Sequence, residues 1–327
     1  MTFEEINNDA FEKGIVVQKN RGIYQVQVDS KKVPCTISSR LRKKLVYPIA
    51  AASSLRHRVL EVEEIAVVDP VAVGDRVEFV YAGDGNGVIH DVLPRSSQFS
   101  RTAAGSKKLE QVMVANVDLV LAVFAAVKPT PHWSLLDRYL VSAEANRLPV
   151  IICVTKLDIA DVGSVEKDLD PYRKIGYPVI LTSSINGQGI SELRSALSGK
   201  LSVLMGKSGV GKTSLLNAIQ PGLGLRVSAV GTGVSGKGRH TTTYLEMVPL
   251  SDGGGVVDTP GMREFSPWEG ELTDLAECFP EMREYLGRCQ FRANCSHRKE
   301  PGCAIRAAVC SGKIDARRYD SYLKLLQ

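Results

Sequence analysis

The sequence predicts an α/β protein in three parts. A small N-terminal β-barrel comes first, then a parallel sheet with helices on both faces, then a short helical unit rich in cysteine. Three observations predict this. From about Gly14 to Leu93, short alternating segments are broken by turn signals. From Val117 onward, apolar runs of strand length alternate with helix-period segments, the texture of strands buried on both faces. After Leu272 the chain is short-helical, and five of its seven cysteines fall between Cys278 and Cys310.

At 327 residues the chain has room for two or three domains. An apolar fraction of 44% and a charged fraction of 24% argue against disorder or a fibre. The acidic start, Met1-Thr2-Phe3-Glu4-Glu5, lacks the order of a secretory signal. The longest apolar run, Val117 to Val127, is interrupted by Asp118 and is well short of the roughly 20 residues of a membrane span. A cytoplasmic protein with no membrane partner is therefore expected, and nothing in the sequence requires more than a monomer. In a reducing compartment, crowded cysteines of odd number read as metal ligands rather than disulfides.

In the first part, Ile15-Val16-Val17 and Ile23 to Val28 read as strands joined through Asn20-Arg21-Gly22. Val73 to Val80 turns and then alternates, and Gly83-Asp84-Gly85-Asn86-Gly87 marks a loop before Val88-Ile89. An OB-fold over residues 1–94 is the natural candidate, although period alone does not separate it from an SH3-like barrel. The net charge of +5 is unevenly placed. Between Lys31 and Arg58 lie Lys31, Lys32, Arg40, Arg42, Lys43, Lys44, Arg56, His57 and Arg58, with no acid among them. A charge run is often only a solvated face, but one this one-sided favours a polyanion partner through counterion release.

Residues 95–108 are polar and read as a linker. In the middle unit, residues 109–271, Val117 to Phe124, Val150 to Val154, Val179 to Leu181 and Leu201 to Met205 read as buried strands. Ser134 to Arg147 reads as a helix with Leu135, Leu136, Tyr139, Leu140 and Ala143 on one face. Residues 272–327 form the third part.

Gly206-Lys207-Ser208-Gly209-Val210-Gly211-Lys212-Thr213 matches G-x-x-x-x-G-K-[ST], follows a strand and opens a helix beginning near Ser214. Its glycines turn backbone N–H groups toward phosphate oxygens, and the helix N-terminus adds its positive end. Lys212 would reach the β- and γ-phosphates and Thr213 would bind Mg²⁺. The base is indicated by Thr155-Lys156-Leu157-Asp158. Asp158 would accept from guanine N1 and N2, donors adenine lacks, and a site built on such an acceptor discriminates by roughly 10⁴ or more. Thr155 stands where the GTPase pattern has Asn, which removes an amide brace to the phosphate loop. Thr182-Ser183-Ser184 resembles the second guanine loop, with Ser183 and Ser184 at the base. Asp258-Thr259-Pro260-Gly261 follows a short strand and matches D-x-x-G: Asp258 would hold Mg²⁺ through water and Gly261 the γ-phosphate. Among Thr241, Thr242 and Thr243, one would complete the Mg²⁺ shell, with Thr241 and Thr242 the candidates.

These motifs run in permuted order. An ordinary GTPase begins with the phosphate loop, whereas here both base loops precede it. The same sheet can be built from a permuted chain when the old termini lie close together. Permutation also places the segment after Gly261 directly before the C-terminal part, so hydrolysis could move that part.

With Leu93-Pro94-Arg95, Leu136-Asp137-Arg138-Tyr139-Leu140, the phosphate loop through Ser214, Gly238-Arg239-His240-Thr241-Thr242-Thr243 and Asp258 to Phe265 in hand, the chain resembles the ribosome small-subunit-dependent GTPase A family (RsgA, also called YjeQ) over nearly its whole length. The resemblance implies an N-terminal OB-fold, a circularly permuted P-loop GTPase domain and a small C-terminal zinc-binding α domain. It also implies GTP and GDP as ligands, hydrolysis that is slow alone and faster on the subunit, and action in late maturation of the small (30S) ribosomal subunit with its 16S rRNA. Met262 occupies the place of a water-orienting Gln, and by resemblance His240 is the catalytic candidate. Intrinsic turnover of order 10⁻⁴–10⁻² s⁻¹ is expected.

Cys289, Cys295, His297 and Cys303 read as a Cys₃His zinc site. The family spacing has one residue fewer between the first two cysteines, which weakens Cys289 as a ligand. Arg306, Lys313, Arg317, Arg318 and Lys324 suggest a second RNA-facing surface. The alternative reading is an RNA-binding module that holds GTP as a structural ligand without turnover.

Overall fold

A computed structural model describes residues 11–20, 22–42, 69–82, 84–103, 109–225, 245–259 and 275–326. The barrel consists of β1 (Glu12–Asn20), β2 (Ile23–Val28), β3 (Lys31–Ile37), β4 (Arg76–Tyr81) and β5 (Gly87–Val92), with a single helical turn, α1 (Ser39–Arg42), after β3. Alternation along the strands sends Val16, Tyr24, Val26, Val33, Cys35, Val77, Phe79 and Ile89 inward to one core. The ring runs β1-β2-β3-β5-β4 and closes by β4 pairing with β1. β3 and β5 are parallel while the other pairs are antiparallel. That one parallel pair breaks the up-and-down order and selects the OB arrangement over a simple meander.

Part of the expected linker is structured. Gln98–Thr102 is strand β6, paired antiparallel with β7 (Glu110–Ala115). Phe99 is the one large apolar side chain between residues 95 and 108, and it is fully buried in the core of the middle unit. One apolar residue among polar neighbours leaves no period to read, so tertiary burial decided this strand.

The middle sheet is ordered β10-β9-β8-β11-β13-β12, where β8 is Leu119–Ala125, β9 Val150–Thr155, β10 Val179–Leu181, β11 Lys200–Met205, β12 Leu245–Pro249 and β13 Gly254–Asp258. Only the β12–β13 pair is antiparallel. Strand residues alternate between two cores. Val120, Ala122 and Phe124 face α2 (Trp133–Ala145) and α3 (Val162–Ile175), which contribute Leu136, Leu140 and Leu169. Leu119, Leu121 and Val123 face α4 (Ile190–Leu197) and α5 (Lys212–Ile219), which contribute Leu193, Leu197, Leu215 and Ile219. The chain moves outward from β8 to β10 and then returns to β11 on the other side of β8. That reversal is where open α/β sheets form their ligand crevice, beyond the strand C-termini. At the far edge β12 pairs with β1 of the barrel, Gln18 opposite Glu246 and Lys19 opposite Leu245, so barrel and sheet are continuous.

The C-terminal unit is built from 3₁₀ turns at Leu275–Cys278, Pro280–Tyr285 and Arg292–Asn294, then α6 (Ala304–Cys310) and α7 (Ala316–Leu325). Its core packs Phe279, Met282, Ile305 and Tyr322 against Val141 of α2. Among the described residues no helix is long and apolar enough to cross a membrane.

Candidate nucleotide site and metal centre

The phosphate loop leaves β11 at Met205 and enters α5 at Lys212. Gly209 and Gly211 hold φ of 82° and 98°, a region that side-chain-bearing residues avoid, and Gly211 is the N-cap of α5. The loop therefore curls with its amides and the helix start on the same side. Lys212 lies folded along it, its Nζ donating to the carbonyls of Gly206 (2.8 Å) and Lys207 (3.4 Å). Thr213 and Ser214 begin the helix and are half-buried, while Ser208 at the tip is exposed.

The base loop ends β9. Thr155 is 2% exposed, and its hydroxyl donates to the carbonyl of Val210 in the phosphate loop and to that of Phe124 in β8 at 3.2 Å. The expected loss of a brace at this position is thus not observed, because the hydroxyl supplies one. Lys156 adopts φ of 61°, and its ammonium donates to the carbonyls of Gly209 (2.7 Å) and Lys128. Burial lowers its pKa, with Asp158 opposing. Asp158 is exposed, and one oxygen accepts from the Ser183 hydroxyl at 2.6 Å. That hydroxyl in turn accepts from the amide of Ile185 at 3.2 Å. The two base loops are therefore one hydrogen-bonded unit, with Ser184 half-buried beside them.

Asp258 ends β13, adjacent to β11. Its Nζ neighbour, Lys212, stands 3.8 Å from Oδ1, beyond hydrogen-bond reach. Oδ1 is buried and has no hydrogen-bond partner among the described residues. Burial pushes the carboxyl above its usual range, Lys212 pulling the other way. An orphaned carboxylate oxygen beside a phosphate loop fits an ion or ion-bound water, so the residues suit Mg²⁺. His240, Thr241, Thr242 and Gly261, like Met262 and the bases from Lys43 to Arg58, lie outside the described residues.

Residues 92–268 match the family model described as RsgA GTPase. The chain belongs to the RsgA GTPase family. A relative from Gemmatimonas aurantiaca, named small ribosomal subunit biogenesis GTPase RsgA, is 40% identical over 314 residues, covering 95% of each chain. The crystal structure of YjeQ from Thermotoga maritima matches with a TM-score of 0.69 at 31% identity over 97% of each chain. That of YloQ, described as a circularly permuted GTPase, matches at 0.66 and 30% identity, over 98% of this chain and 96% of that one. The circular permutation inferred from motif order is thus shared with a solved relative. Membership of a family of GTPases makes the chain an enzyme of GTP hydrolysis and tells against the alternative of GTP as an inert ligand.

The four candidate metal ligands converge. Atoms of Cys289, Cys295, His297 and Cys303 lie within 4.8 Å of one another, and all four residues are buried. The sulfurs of Cys289 and Cys303 are 3.9 Å apart, and each is 3.5 Å from His297 Nδ1. Tetrahedral zinc with bonds of about 2.3 Å to sulfur and 2.0 Å to nitrogen would separate these atoms by about 3.8 and 3.5 Å. The donor set therefore fits zinc, Cys289 included. Between Cys289 and Cys295 the chain makes the 3₁₀ turn Arg292–Asn294, where Arg292 has φ of 45°. Cys278 and Cys310 are not in the group. Outside it, the Tyr319 hydroxyl donates to the His297 carbonyl at 2.6 Å and that of Tyr322 to Ser296 at 3.1 Å, tying the knuckle to α7. Glu300 accepts from the Ser296 hydroxyl and from the amides of Ser296, Arg298 and Lys299; the Ser296 hydroxyl first, and then backbone amides including its own and those of Ser296 and Lys299, bring its pKa down to about 2.

Two bases read as RNA-facing have other partners. Arg318 is 1% exposed and pairs with Asp137 of α2 at 2.8 Å and Glu281 at 2.7 Å. Arg317 pairs with Asp168 of α3 at 3.2 Å. Asp137 also accepts from Ser321 and, at 2.9 Å, from Tyr172. Asp137 thus anchors the zinc-binding unit to the GTPase sheet. The sequence signal for this was a lone acid on the apolar face Leu136, Tyr139, Leu140.

Proposed function

We propose that this chain is a GTPase of late small-subunit maturation, which binds the 16S rRNA of the small ribosomal subunit and couples GTP hydrolysis to its own release. The observation that carries this reading is convergence. Thr155, Lys156, Asp158, Ser183, the loop from Gly206 to Thr213 and Asp258 meet at the C-terminal ends of β9, β10, β11 and β13. They do so in a chain 40% identical to a small ribosomal subunit biogenesis GTPase across 95% of its length.

In this reading Asp158 accepts from guanine N1 and N2, and the Ser183-Ser184 backbone donates to O6. The amides of Gly206, Lys207, Ser208, Gly209, Val210, Gly211, Lys212, Thr213 and Ser214 line the phosphates, with Lys212 leaving its carbonyls for the β- and γ-oxygens. Thr213 and Asp258, with Thr241 or Thr242, are the residues for Mg²⁺, which supplies neutralisation of phosphate charge when bound. Gly261 holds the γ-phosphate, and His240 orients or deprotonates the attacking water. Cys289, Cys295, His297 and Cys303 hold a structural Zn²⁺. The exposed bases Lys31, Arg40 and Arg42 on the barrel, and Arg288, Arg292, Arg298 and Lys299 around the knuckle, suit an RNA backbone. The protein acts as a cytoplasmic monomer.

The test is steady-state hydrolysis of GTP and ATP with and without purified small subunits. Strong stimulation of GTP turnover by subunits is expected, and His240→Ala should lose turnover while still binding GTP. Retained GTP preference with no stimulation by subunits would remove the ribosomal assignment.

A further inference from the structure

Phe291 is 45% exposed and is not among the residues of the C-terminal core. A lone exposed ring is ordinary by itself; the setting of this one is not. Its backbone is fixed on both sides. The Arg292 amide donates to the Cys289 carbonyl at 2.9 Å, and the Asn294 amide to the Phe291 carbonyl at 3.0 Å. Cys289 belongs to the Cys₃His cluster, and the Gln290 amide donates to the Gly302 carbonyl at 3.1 Å. The turn therefore offers the ring from a rigid support, and an aromatic side chain with two torsions loses little entropy when it is covered. The charge around it has one sign. Between Tyr285 and Lys299 stand Arg288, Arg292, Arg298 and Lys299, all exposed, with no acid in the run. Glu300, which follows, turns its carboxylate back to Ser296 and the amides of Arg298 and Lys299.

Cations around a bare aromatic face match two parts of one ligand, the phosphates of an RNA strand and a nucleobase free of its stack. Unpaired bases are recognised by stacking on aromatic side chains, while basic groups track the backbone beside them. A base held in a duplex has no face to give. We propose that Phe291 stacks on an unpaired nucleobase of single-stranded RNA, with Arg288 and Arg292 on the flanking phosphates. The inference rests on the proposed RNA-facing role of the knuckle and goes beyond it. Arginines and lysines alone would hold any RNA backbone, whereas the ring selects single-stranded over paired RNA.

The test uses the zinc-loaded full chain and two probes, oligouridylate and inorganic polyphosphate, which has the charge and no nucleobase. Phe291→Leu should weaken oligouridylate binding by roughly 5- to 150-fold, while polyphosphate binding and the salt dependence of both stay as they were. Phe291→Trp should restore the loss. Arg292→Gln should instead weaken both probes and lower the oligouridylate salt slope by about 0.7, one phosphate contact on a single strand. Photocrosslinking with thiouridine-containing oligonucleotides should mark the tryptic peptide 289–292 of the wild type, a readout that needs no variant to fold. Equal loss of both probes in Phe291→Leu, no loss at all, or wild-type binding without that crosslink would overturn the stacking. Loss of subunit-stimulated GTP turnover with oligouridylate affinity unchanged would overturn it too, giving the ring to a protein of the subunit. A wild-type chain that bound neither probe would remove the RNA-facing role itself, and the stacking with it.

Discussion

The barrel and the zinc-binding unit are both attached to the GTPase sheet, but by different chemistry. At the barrel junction the contacts are mainly backbone. The Ala115 amide donates to the Val73 carbonyl at 2.8 Å and β1 pairs with β12, while the Asn116 side chain donates to the Gly74 carbonyl at 2.9 Å. Asp75, fully buried, supports this turn by pairing at 2.8 Å with Arg95, the first residue after the barrel. At the zinc junction the contacts are side chains, Arg318 with Asp137 and Glu281, and Arg283 with Glu144. The difference follows from the elements that meet. A strand edge has unpaired amides to offer a neighbour, whereas a helix has satisfied its own and must dock through side chains. The lesson is that a β unit joins a sheet mainly through backbone pairing, whereas a helical unit docks through side chains.

Removing the metal should have the largest effect and fall on one junction only. Structural zinc contributes an apparent ~10–16 kcal/mol of binding free energy in small domains. Cys303→Ser should therefore abolish zinc retention and unfold residues 275–326, read by amide exchange, while protection of β1 and β12 persists. Next, Arg318→Ala leaves Asp137 and Glu281 as uncompensated charges and should cost about 3–5 kcal/mol in denaturant unfolding. Replacing Arg318, Asp137 and Glu281 together by Met, Leu and Leu should recover most of it; a triple variant no better than the single one would mean that the charges themselves hold the unit.

At the barrel side, Gly74→Ala tests the backbone character directly. Gly74 has φ of +90°, and a Cβ there would lie 2.2 Å from the Ala115 carbonyl oxygen. A loss of about 2 kcal/mol is expected, with weakened exchange protection at Ala115 and no change in zinc content. Asp258 provides a contrast with both junctions, since its buried Oδ1 has no lock. Its pKa is raised by burial, so the ionised form is disfavoured in the folded state and the nucleotide-free protein gains stability as pH falls from neutral through that raised value. Asp258→Asn removes the penalty and should raise the melting temperature at pH 7 while GTP turnover collapses. The smallest effect belongs to Arg317→Ala, because its pair with Asp168 is half-exposed. Less than about 0.5 kcal/mol is expected, and a larger loss would show that the outer ion pairs share the work of Arg318.

The chemistry of the nucleotide site was legible because it depends on short contiguous motifs. The glycines of the candidate phosphate loop, Asp158 and Asp258 stand at the spacing such a site requires, whatever surrounds them. The candidate metal ligands were legible for the same reason, although the irregular step from Cys289 to Cys295 weakened the first until all four side chains were found within 4.8 Å of one another. Long-range partnerships were not legible. Arg318 read as a surface base, because nothing near it in sequence shows that Asp137, 181 residues away, shares its burial. Strand β6 was missed because one buried Phe99 carries no period.

By itself, then, the sequence determined the α/β class, the permuted motif order, the family's GTPase activity and the Cys₃His cluster, all consequences of local composition and spacing. Only the tertiary structure decided that the barrel closes in OB order through a parallel β3–β5 pair, that Thr155 turns its hydroxyl to the phosphate loop, and that Asp137 and Arg318 are a lock. Each of these depends on which distant carbonyl or charge lies opposite in space, and strand pairing and helix docking set that where local propensity cannot.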